Sequence, residues 1–219
     1  MKKLLLISSF AAISMAALAL DPTPKSVAPK VALERLANGN ARFVAGKAVH
    51  PDQSVKRRTE SAKGQAPFAS VLSCADSRLS PELIFDQGIG NLFVVRVAGN
   101  TAEPVGIGSL EYSVAVLGSR TVVVMGHEKC GAVAAAVKGG ELPGSIGAVT
   151  KAIEPAVAEV KGKSGDPVKL ATTQNVRDTV KKIRQQSSII SDLEKKGELK
   201  IVGAEYTLAD GKVKFFAVK

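Results

Sequence analysis

Two short motifs decide the fold of this chain: Cys74-Ala75-Asp76-Ser77-Arg78 and His127-Glu128-Lys129-Cys130-Gly131. Each follows an apolar run, over residues 69–72 and 121–126. Both runs are short and are bounded by turn residues, a pattern typical of buried parallel strands. Strands that lie side by side in a parallel sheet end at the same edge, where open α/β sheets place their ligands. The sequence therefore predicts that both motifs meet at the carboxyl edge of one sheet.

The two motifs contain residue types that bind zinc. Cys74, His127 and Cys130 offer two thiolates and an imidazole, which suit zinc among the divalent metals. Cys130 is the first residue of a predicted helix, whose dipole lowers the pKa of a thiol at its amino end, and Cys74 lies close to Arg78. Three protein ligands leave a fourth position free, as in catalytic rather than structural zinc sites. We therefore predict that these three residues hold Zn²⁺.

Asp76 and Arg78 are predicted to act beside the metal. Residues two apart in an extended turn share a face, so the two side chains can pair. An ordinary surface salt bridge contributes only about 0–1 kcal/mol, but a bidentate pair next to a metal ligand fixes the carboxylate. An ionised Asp76 would accept a hydrogen bond from a zinc-bound water or hydroxide. In the alternative arrangement, Asp76 ligates zinc itself and closes the site.

The two cysteines also allow a simpler interpretation, in which they form a disulfide, as pairs of cysteines in exported proteins commonly do. A structural disulfide needs neither Asp76 nor Arg78, nor a histidine three residues before its second cysteine. A metal site uses all of them, so the neighbouring residues favour the metal. His50, beside Pro51 in a polar loop, has no such neighbours and is predicted to be a surface residue.

The first residues have the pattern of a secretory signal peptide. Two lysines precede an apolar stretch over residues 4–20, and Ala17-Leu18-Ala19 forms a small-x-small cleavage site. We expect residues 1–19 to be removed, which leaves a single domain over residues 20–219 in the periplasm. An uncleaved membrane anchor is the alternative, although the stretch is shorter than the about 20 residues of a spanning helix. After cleavage we expect no stable membrane insertion.

The charge of the chain does not indicate a nucleic-acid partner. The formal net charge is +10, but the basic residues are spread along the sequence, with Lys56-Arg57-Arg58 as the one cluster. Aromatic residues make up only 4% of the chain, so few side chains are available to stack on bases. A solvated basic surface is expected, and nucleic-acid binding is not.

Apolar runs alternate with helical patterns along the chain, which indicates a parallel sheet with crossover connections. We predict an α/β fold with a central, mostly parallel sheet of about four core strands plus a C-terminal edge hairpin, flanked by helices. The hairpin turns at Asp210-Gly211. An N-terminal helical arm at about residues 30–46 is expected to bury its apolar side, with a second subunit as one possible surface. The predicted helices cover residues 31–44, 54–62, 81–86, 104–117, 130–137, 146–160 and 168–196, and the predicted strands cover residues 67–74, 92–97, 121–126, 201–206 and 213–218.

Cys-Ala-Asp-Ser-Arg followed by His-x-x-Cys-Gly resembles the β-class carbonic anhydrases, in their plant-like branch and in an exported bacterial form. The resemblance implies reversible hydration of carbon dioxide to bicarbonate and a proton, by a zinc-bound hydroxide that Asp76 and Arg78 orient. It also implies a homodimer or a dimer of dimers, because neighbouring subunits in this family share the substrate pocket. Further segments that fit the family are residues 63–65, 93–96, 110–112 and 200–204.

The resemblance also assigns Gln65, Phe93, Tyr112 and Gly131 to a narrow substrate pocket. Gln65 would donate its amide to a substrate oxygen, and Phe93 would form an apolar wall suited to an uncharged molecule. On their positions alone, Phe93 and Tyr112 are more typical of core residues, and Gln65 of a loop residue. Ala98 is smaller than the branched residue expected at that position, which implies a slightly roomier pocket.

Two other functions remain compatible with these motifs. The same zinc site would serve a hydrolase of another linear molecule, such as carbon disulfide or carbonyl sulfide, because these molecules share the shape of carbon dioxide. A protein that binds zinc or an anion without catalysis would keep Asp76 permanently on the metal. The motifs alone do not separate these functions from carbon dioxide hydration.

Overall fold

The computed structural model describes residues 26–219, and the predicted signal peptide lies outside this range. The five strands of the sheet are β1 (Ala69–Ser73), β2 (Leu92–Arg96), β3 (Thr121–His127), β4 (Lys200–Tyr206) and β5 (Val213–Phe216). The helices are α1 (Pro29–Val44), α2 (Val55–Ser61), α3 (Pro81–Ile84), α4 (Pro104–Ala115), α5 (Gly131–Lys138), α6 (Ile146–Val160), α7 (Pro167–Gln186) and α8 (Ser188–Lys195), and a short 3₁₀ turn covers Ala98–Asn100.

The sheet has the strand order β2-β1-β3-β4-β5. The first four strands are parallel, and β5 pairs with β4 in the antiparallel direction. The predicted α/β fold, its mostly parallel sheet and its C-terminal edge hairpin are therefore confirmed. Because β1 lies directly beside β3, with Ser73 opposite Met125, the two motifs follow strands that end at the same edge.

Helices cover both faces of the sheet, and the central strands are buried between them. Every residue of β1 and β3 is buried, which explains why their sequences are continuous apolar runs rather than alternating ones. One face packs against α1, α5 and α6, and the other packs against α4, α8 and most of α7. No helix between residues 26 and 219 is both long and apolar enough to cross a membrane.

The N-terminal helix α1 buries its inner side against its own chain. Ala32 and Leu36 are fully buried in the core of the domain. The side chain of Asn40 donates hydrogen bonds to the Gly211 and Ile84 carbonyls and accepts one from the Val213 N–H. The predicted burial of the apolar side of this helix is therefore met, for Ala32 and Leu36, within the chain itself.

The single helix predicted over residues 168–196 is wrong, because the structure has two helices there. Ser187 separates α7 from α8, because its backbone is extended, at φ −116° and ψ 102°. Its hydroxyl accepts a hydrogen bond from the Ile190 N–H, which caps α8, and donates one to Glu111 at 2.6 Å. A buried serine with these two partners favours a new helix start over continuation of the old helix.

Asp86 anchors the loop that follows α1. Its side chain is 1% exposed and lies 2.6 Å from the Arg42 Nε, and it accepts hydrogen bonds from the N–H groups of Val49 and His50. Burial by itself raises the pKa of this carboxyl, but the hydrogen bonds from Val49, Arg42 and His50 outweigh burial and hold the pKa below its usual value. The ionised carboxylate is therefore the form that stabilises the fold.

We expect Asp86→Asn to lower the free energy of unfolding at pH 7 by about 2 kcal/mol, because it removes the charge of a buried carboxylate from its hydrogen bonds with Arg42, Val49 and His50. A pKa that is lowered in the folded state gives stability that is complete above the unfolded pKa of about 3.9 and is lost as the pH falls through the folded pKa. The deficit of the variant should therefore shrink in acid. Urea unfolding of the wild type and the variant between pH 7 and pH 3 measures this difference in the free energy of unfolding.

Asp192→Asn is the matched control for this experiment, because Asp192 pairs with Lys195 through side chains that are 60% and 74% exposed. Such a pair contributes about 0–1 kcal/mol. An Asp86→Asn variant as stable as Asp192→Asn at pH 7, or a deficit that does not change with pH, would contradict the role given to Asp86.

Candidate active site

Cys74, His127 and Cys130 lie together at the carboxyl edge of the sheet. Cys74 directly follows β1, His127 is the last residue of β3, and Cys130 is the N-cap of α5. Their ligand atoms all lie within 4.8 Å of one another, and all three side chains are buried. The two sulfurs are 4.0 Å apart. Two thiolates bound about 2.3 Å from a tetrahedral zinc would be about 3.8 Å apart, so the spacing fits this metal.

The imidazole of His127 presents one nitrogen to this cluster. Its Nδ1 lies 2.9 Å from the Glu128 carbonyl oxygen, which fixes the proton on Nδ1 and leaves Nε2 as the ligand atom. His127 Nε2 is buried and has no hydrogen-bond partner among the described residues. Buried polar atoms are rarely left unpaired, and a metal ion at this point would satisfy the nitrogen. The donor set and its geometry therefore fit zinc.

The cysteine thiols differ in how readily they ionise. A hydrogen bond from the Cys130 thiol is the main factor that lowers the pKa of Cys74, to about 4, and burial opposes it. The neighbouring His127 imidazole and a hydrogen bond from the Gly99 N–H lower that pKa further. The pKa of Cys130 is raised, because its thiol is held by the Cys74 sulfur and is buried. The two sulfurs thus hold one proton between them, and zinc binding to both would release it.

Asp76 and Arg78 form the bidentate pair that the sequence predicted. Arg78 Nε donates to Asp76 Oδ1 at 2.9 Å, Arg78 Nη2 donates to Oδ2 at 2.7 Å, and the Arg78 N–H also donates to Oδ1. The Arg78 guanidinium, acting against partial burial, holds the pKa of Asp76 well below its usual range. Asp76 Oδ2 lies 3.9 Å from His127 Nε2, so an ionised carboxylate stands beside the candidate metal position.

Sequence reasoning gave no role to Arg96, Gly99 or Asn175. The structure connects all three to residues 74–76, the turn that begins with the candidate ligand Cys74 and that we call the ligand turn. Arg96 donates to the main-chain carbonyl of Asp76 at 2.7 Å and to that of Cys74 at 3.3 Å. The Gly99 N–H donates to the Cys74 sulfur at 3.2 Å, and Asn175 donates to the Gly99 carbonyl. Arg96 is the last residue of β2, and the 98–100 turn follows that strand at the same edge of the sheet. This position at a strand end was the sequence signal that could have pointed to Arg96 and Gly99.

The predicted pocket residues are distributed over several parts of the surface. Phe93 and Tyr112 face each other, with ring centroids 6.3 Å apart, and Tyr112 is 48% exposed. Gly131 is the first residue of α5, next to Cys130. Gln65 lines a surface depression with residues 61–64, Ile89 and Gly90, and this depression includes none of the three candidate ligands. Their roles toward the substrate remain predictions.

The closeness of the two sulfurs predicts an oxidative hazard for the metal-free protein. When zinc is removed, an oxidant such as diamide should take two electrons and the thiol protons from Cys74 and Cys130 and join them in a disulfide. We expect carbon dioxide hydration to be lost, and to return only when reductant and zinc are both supplied. The zinc-loaded protein, treated in parallel, should keep its activity. Recovery of the oxidised protein with zinc alone would contradict this prediction.

Comparisons with known proteins agree with the fold and the site. The carbonic anhydrase family matches residues 69–213 of this chain, which is more than half of it. Carbonic anhydrase 2 of Mycobacterium tuberculosis is 43% identical over 188 residues, which cover 84% of this chain and 91% of that protein. The carbonic anhydrase of Mycolicibacterium smegmatis is 40% identical over 189 residues, 84% and 92% of the two chains.

Solved structures of the same class share the architecture. The β-carbonic anhydrase CcaA superposes with a TM-score of 0.68 at 25% identity, over 84% of this chain and 95% of that one. One of the tetrameric β-carbonic anhydrases of Sordaria macrospora superposes with a TM-score of 0.66 at 23% identity, over 86% and 96% of the two chains. The paired strands, the Cys-His-Cys cluster and these relatives lead to one conclusion: the chain belongs to the β-class carbonic anhydrases.

Proposed function

We propose that the protein hydrates carbon dioxide reversibly at a zinc ion held by Cys74, His127 and Cys130, beside the Asp76–Arg78 pair. One observation carries the proposal. Three buried ligand atoms form a cluster that fits zinc, and an ionised carboxylate lies beside it. Zinc, when bound, supplies a Lewis acid that makes water a nucleophile near neutral pH; carbonic anhydrase is the standard example of this chemistry.

Asp76 is suited to orient the reacting oxygen because of how Arg78 holds it. Asp76 Oδ1 accepts two hydrogen bonds from Arg78 and is saturated, whereas Oδ2 accepts one and keeps a free lone pair. Oδ2 is also the oxygen that lies 3.9 Å from His127 Nε2. Because its pKa is lowered, Asp76 stays ionised and can only accept hydrogen bonds. It would accept one from the reacting hydroxyl, and this would turn a lone pair of the hydroxyl oxygen toward the substrate carbon.

The same pair supports an open metal site, as in the plant-like branch. Asp76 would have to give up the bidentate hydrogen bonds from Arg78 in order to ligate zinc. Arg78 is itself held near the site, since its Nη2 also approaches the Lys129 carbonyl at 3.4 Å. These contacts favour a carboxylate that stays off the metal and leaves the fourth zinc position for the reaction.

We propose a homodimer or a dimer of dimers in which a neighbouring chain completes the pocket. β2 is an edge strand, and its residues from Leu92 to Val95 are only partly buried. Tyr112 is 48% exposed and Val105 is 85% exposed on the adjoining helix α4. A second copy on this side would bury these apolar groups and bring its own Gln65 toward the site. Sedimentation of the purified protein tests this assembly, and a monomer at micromolar concentration would contradict it.

We also propose that the enzyme works in the periplasm after removal of residues 1–19. The support is the sequence pattern of a basic start, an apolar stretch and Ala17-Leu18-Ala19. Protein recovered from a periplasmic fraction should begin at Leu20. A cytoplasmic protein that retains Met1 would contradict the proposal.

Stopped-flow measurement of carbon dioxide hydration tests the proposed reaction. The zinc-loaded protein should turn over carbon dioxide with a kcat/KM in the range of efficient enzymes, about 10⁴–10⁸ M⁻¹s⁻¹. The same preparation should be assayed with carbon disulfide and carbonyl sulfide through the sulfide that they release. Fast sulfide release with negligible carbon dioxide hydration would replace the proposed substrate, and inactivity toward all three would contradict an open catalytic site.

A further inference from the structure

We infer that Asn175 is a positioning residue for the metal site, which acts through Gly99 on the Cys74 sulfur. Asn175 lies on α7 and is 2% exposed. Its Nδ2 donates a hydrogen bond of 2.7 Å to the Gly99 carbonyl. The Gly99 N–H in turn donates to Cys74 Sγ at 3.2 Å. Two consecutive hydrogen bonds thus connect a buried helix side chain to a candidate ligand atom.

The Gly99 turn has a conformation that needs to be held. Its φ of +71° lies in the left-handed region that favours glycine. A Cβ at this position would lie 2.6 Å from the Ile153 Cδ1, so a larger residue would also have to displace that side chain. Gly99 is buried, and a buried carbonyl without a partner is destabilising because it has lost its hydrogen bonds to water. Asn175 supplies that partner, and so it favours the turn that directs the Gly99 N–H at the sulfur.

Helix α7 is itself fixed close to the strand that carries His127. Gly126 precedes His127, and a Cβ on Gly126 would lie 2.7 Å from the Val176 Cγ2 on α7. The missing side chain therefore lets the helix approach β3 next to Asn175. This close approach of α7 and β3 lies one residue from Asn175, whose side chain reaches the Gly99 carbonyl.

These two hydrogen bonds affect how Cys74 binds the metal. A hydrogen bond to a thiolate orients the sulfur and withdraws electron density from it, and outer contacts of this kind change metal affinity by about 10–100-fold. Without Asn175 the Gly99 N–H would no longer be held on the sulfur. The sulfur lone pair would then lie higher in energy and would be less well directed toward the metal.

The test uses full-length mature protein loaded with Co²⁺ or Zn²⁺, and it rests on the proposed ligand set. We expect Asn175→Ala to shift the sulfur-to-cobalt charge-transfer bands to longer wavelength. We also expect it to weaken zinc binding by about 10–100-fold in competition with a chromogenic chelator. Asn175→Leu fills nearly the same volume but has no N–H to donate to the carbonyl, so it should show the same changes.

Gln174→Ala is the matched control. Gln174 is the neighbouring buried residue on α7, and its Nε2 donates to Glu159 and Asp178 rather than to the 98–100 turn. This variant should keep the wild-type cobalt spectrum and zinc affinity even if it loses stability. A general structural effect would change the cobalt spectrum and the zinc affinity of Asn175→Ala and Gln174→Ala alike, and that result would overturn the inference.

Each remaining outcome is decisive. If the Asn175 variants fold and keep the wild-type spectrum and zinc affinity, the inference is wrong, while the ligand set stands because wild type still shows sulfur-to-cobalt bands. If neither Asn175 variant folds while Gln174→Ala does, Asn175 serves folding alone and the inference is again wrong. If wild type itself binds no metal, the proposed ligand set fails and the inference fails with it.

Discussion

Replacing His127 with asparagine is expected to remove bound zinc and to reduce carbon dioxide hydration at least about 10³-fold, beyond the 10–100-fold effects of outer contacts. His127 Nε2 is the one nitrogen in the cluster and has no other partner among the described residues. Asparagine is too short to place a donor there, and two thiolates alone do not make a stable tetrahedral site. Metal analysis and stopped-flow assays on the same preparation measure both effects.

His50→Asn is the matched control, because it makes the same substitution at the other histidine of the chain. His50 is exposed, and its backbone φ of +49° is one that asparagine adopts readily. The contact between its N–H and Asp86 does not involve the side chain and is retained. This variant should keep both zinc and activity. Normal zinc content in His127→Asn would show that the ligand set is wrong.

Replacing Asp76 with asparagine is expected to lower kcat at least about 10²-fold, the effect of losing one preorganised polar contact in an active site, while zinc stays bound. The amide has one acceptor oxygen in place of two and carries no charge, so it cannot keep the bidentate pair with Arg78 and also present a free lone pair. Zinc content separates this effect from the loss of a ligand.

The surface hairpin offers a control with the same local geometry. Asp210 accepts a hydrogen bond from the Lys212 N–H at 3.1 Å, and its Oδ2 lies 2.8 Å from Lys212 Nζ. It therefore repeats the pairing of an aspartate with a basic residue two positions later, away from the metal cluster. Asp210→Asn should keep wild-type kcat. A zinc-loaded Asp76→Asn enzyme with wild-type kcat would mean that Asp76 does not orient the reacting oxygen.

Much of the fold follows from local sequence because its strands are short, apolar and ended by turn residues. The runs before Cys74 and His127 form adjacent parallel strands, which brings the two motifs to one edge. Helix α5 ends at Lys138, one residue after its predicted end, and Gly139 follows it at φ +68°. These features depend on patterns within a few residues, which the sequence displays directly.

The sequence was least informative where distant side chains decide the structure. Ser187 divides the predicted helix because it bonds to Glu111, which is 76 positions earlier in the chain. The buried face of α1 depends on Asn40, whose partners include Gly211 in the C-terminal hairpin. Neither contact leaves a periodic signal in the local sequence, so neither was available before the tertiary structure was known.

The site shows the same division between local and distant information. Asp76 and Arg78 pair within one turn, and the sequence alone predicted their contact. Asn175 reaches Gly99 across 76 positions, and Arg96 reaches the ligand turn only because β2 pairs with β1. Groups that support a metal ligand through the main chain have no motif of their own, so they appear only when the packing is seen.

Metal analysis of the purified, reduced mature protein tests the central claim most directly. A buried cluster of two sulfurs and one unpaired imidazole nitrogen should retain stoichiometric zinc through dialysis, and removal of zinc by a chelator should abolish carbon dioxide hydration until zinc is returned. A reduced protein that contains no zinc, and whose behaviour does not change when zinc is added, would contradict the claim.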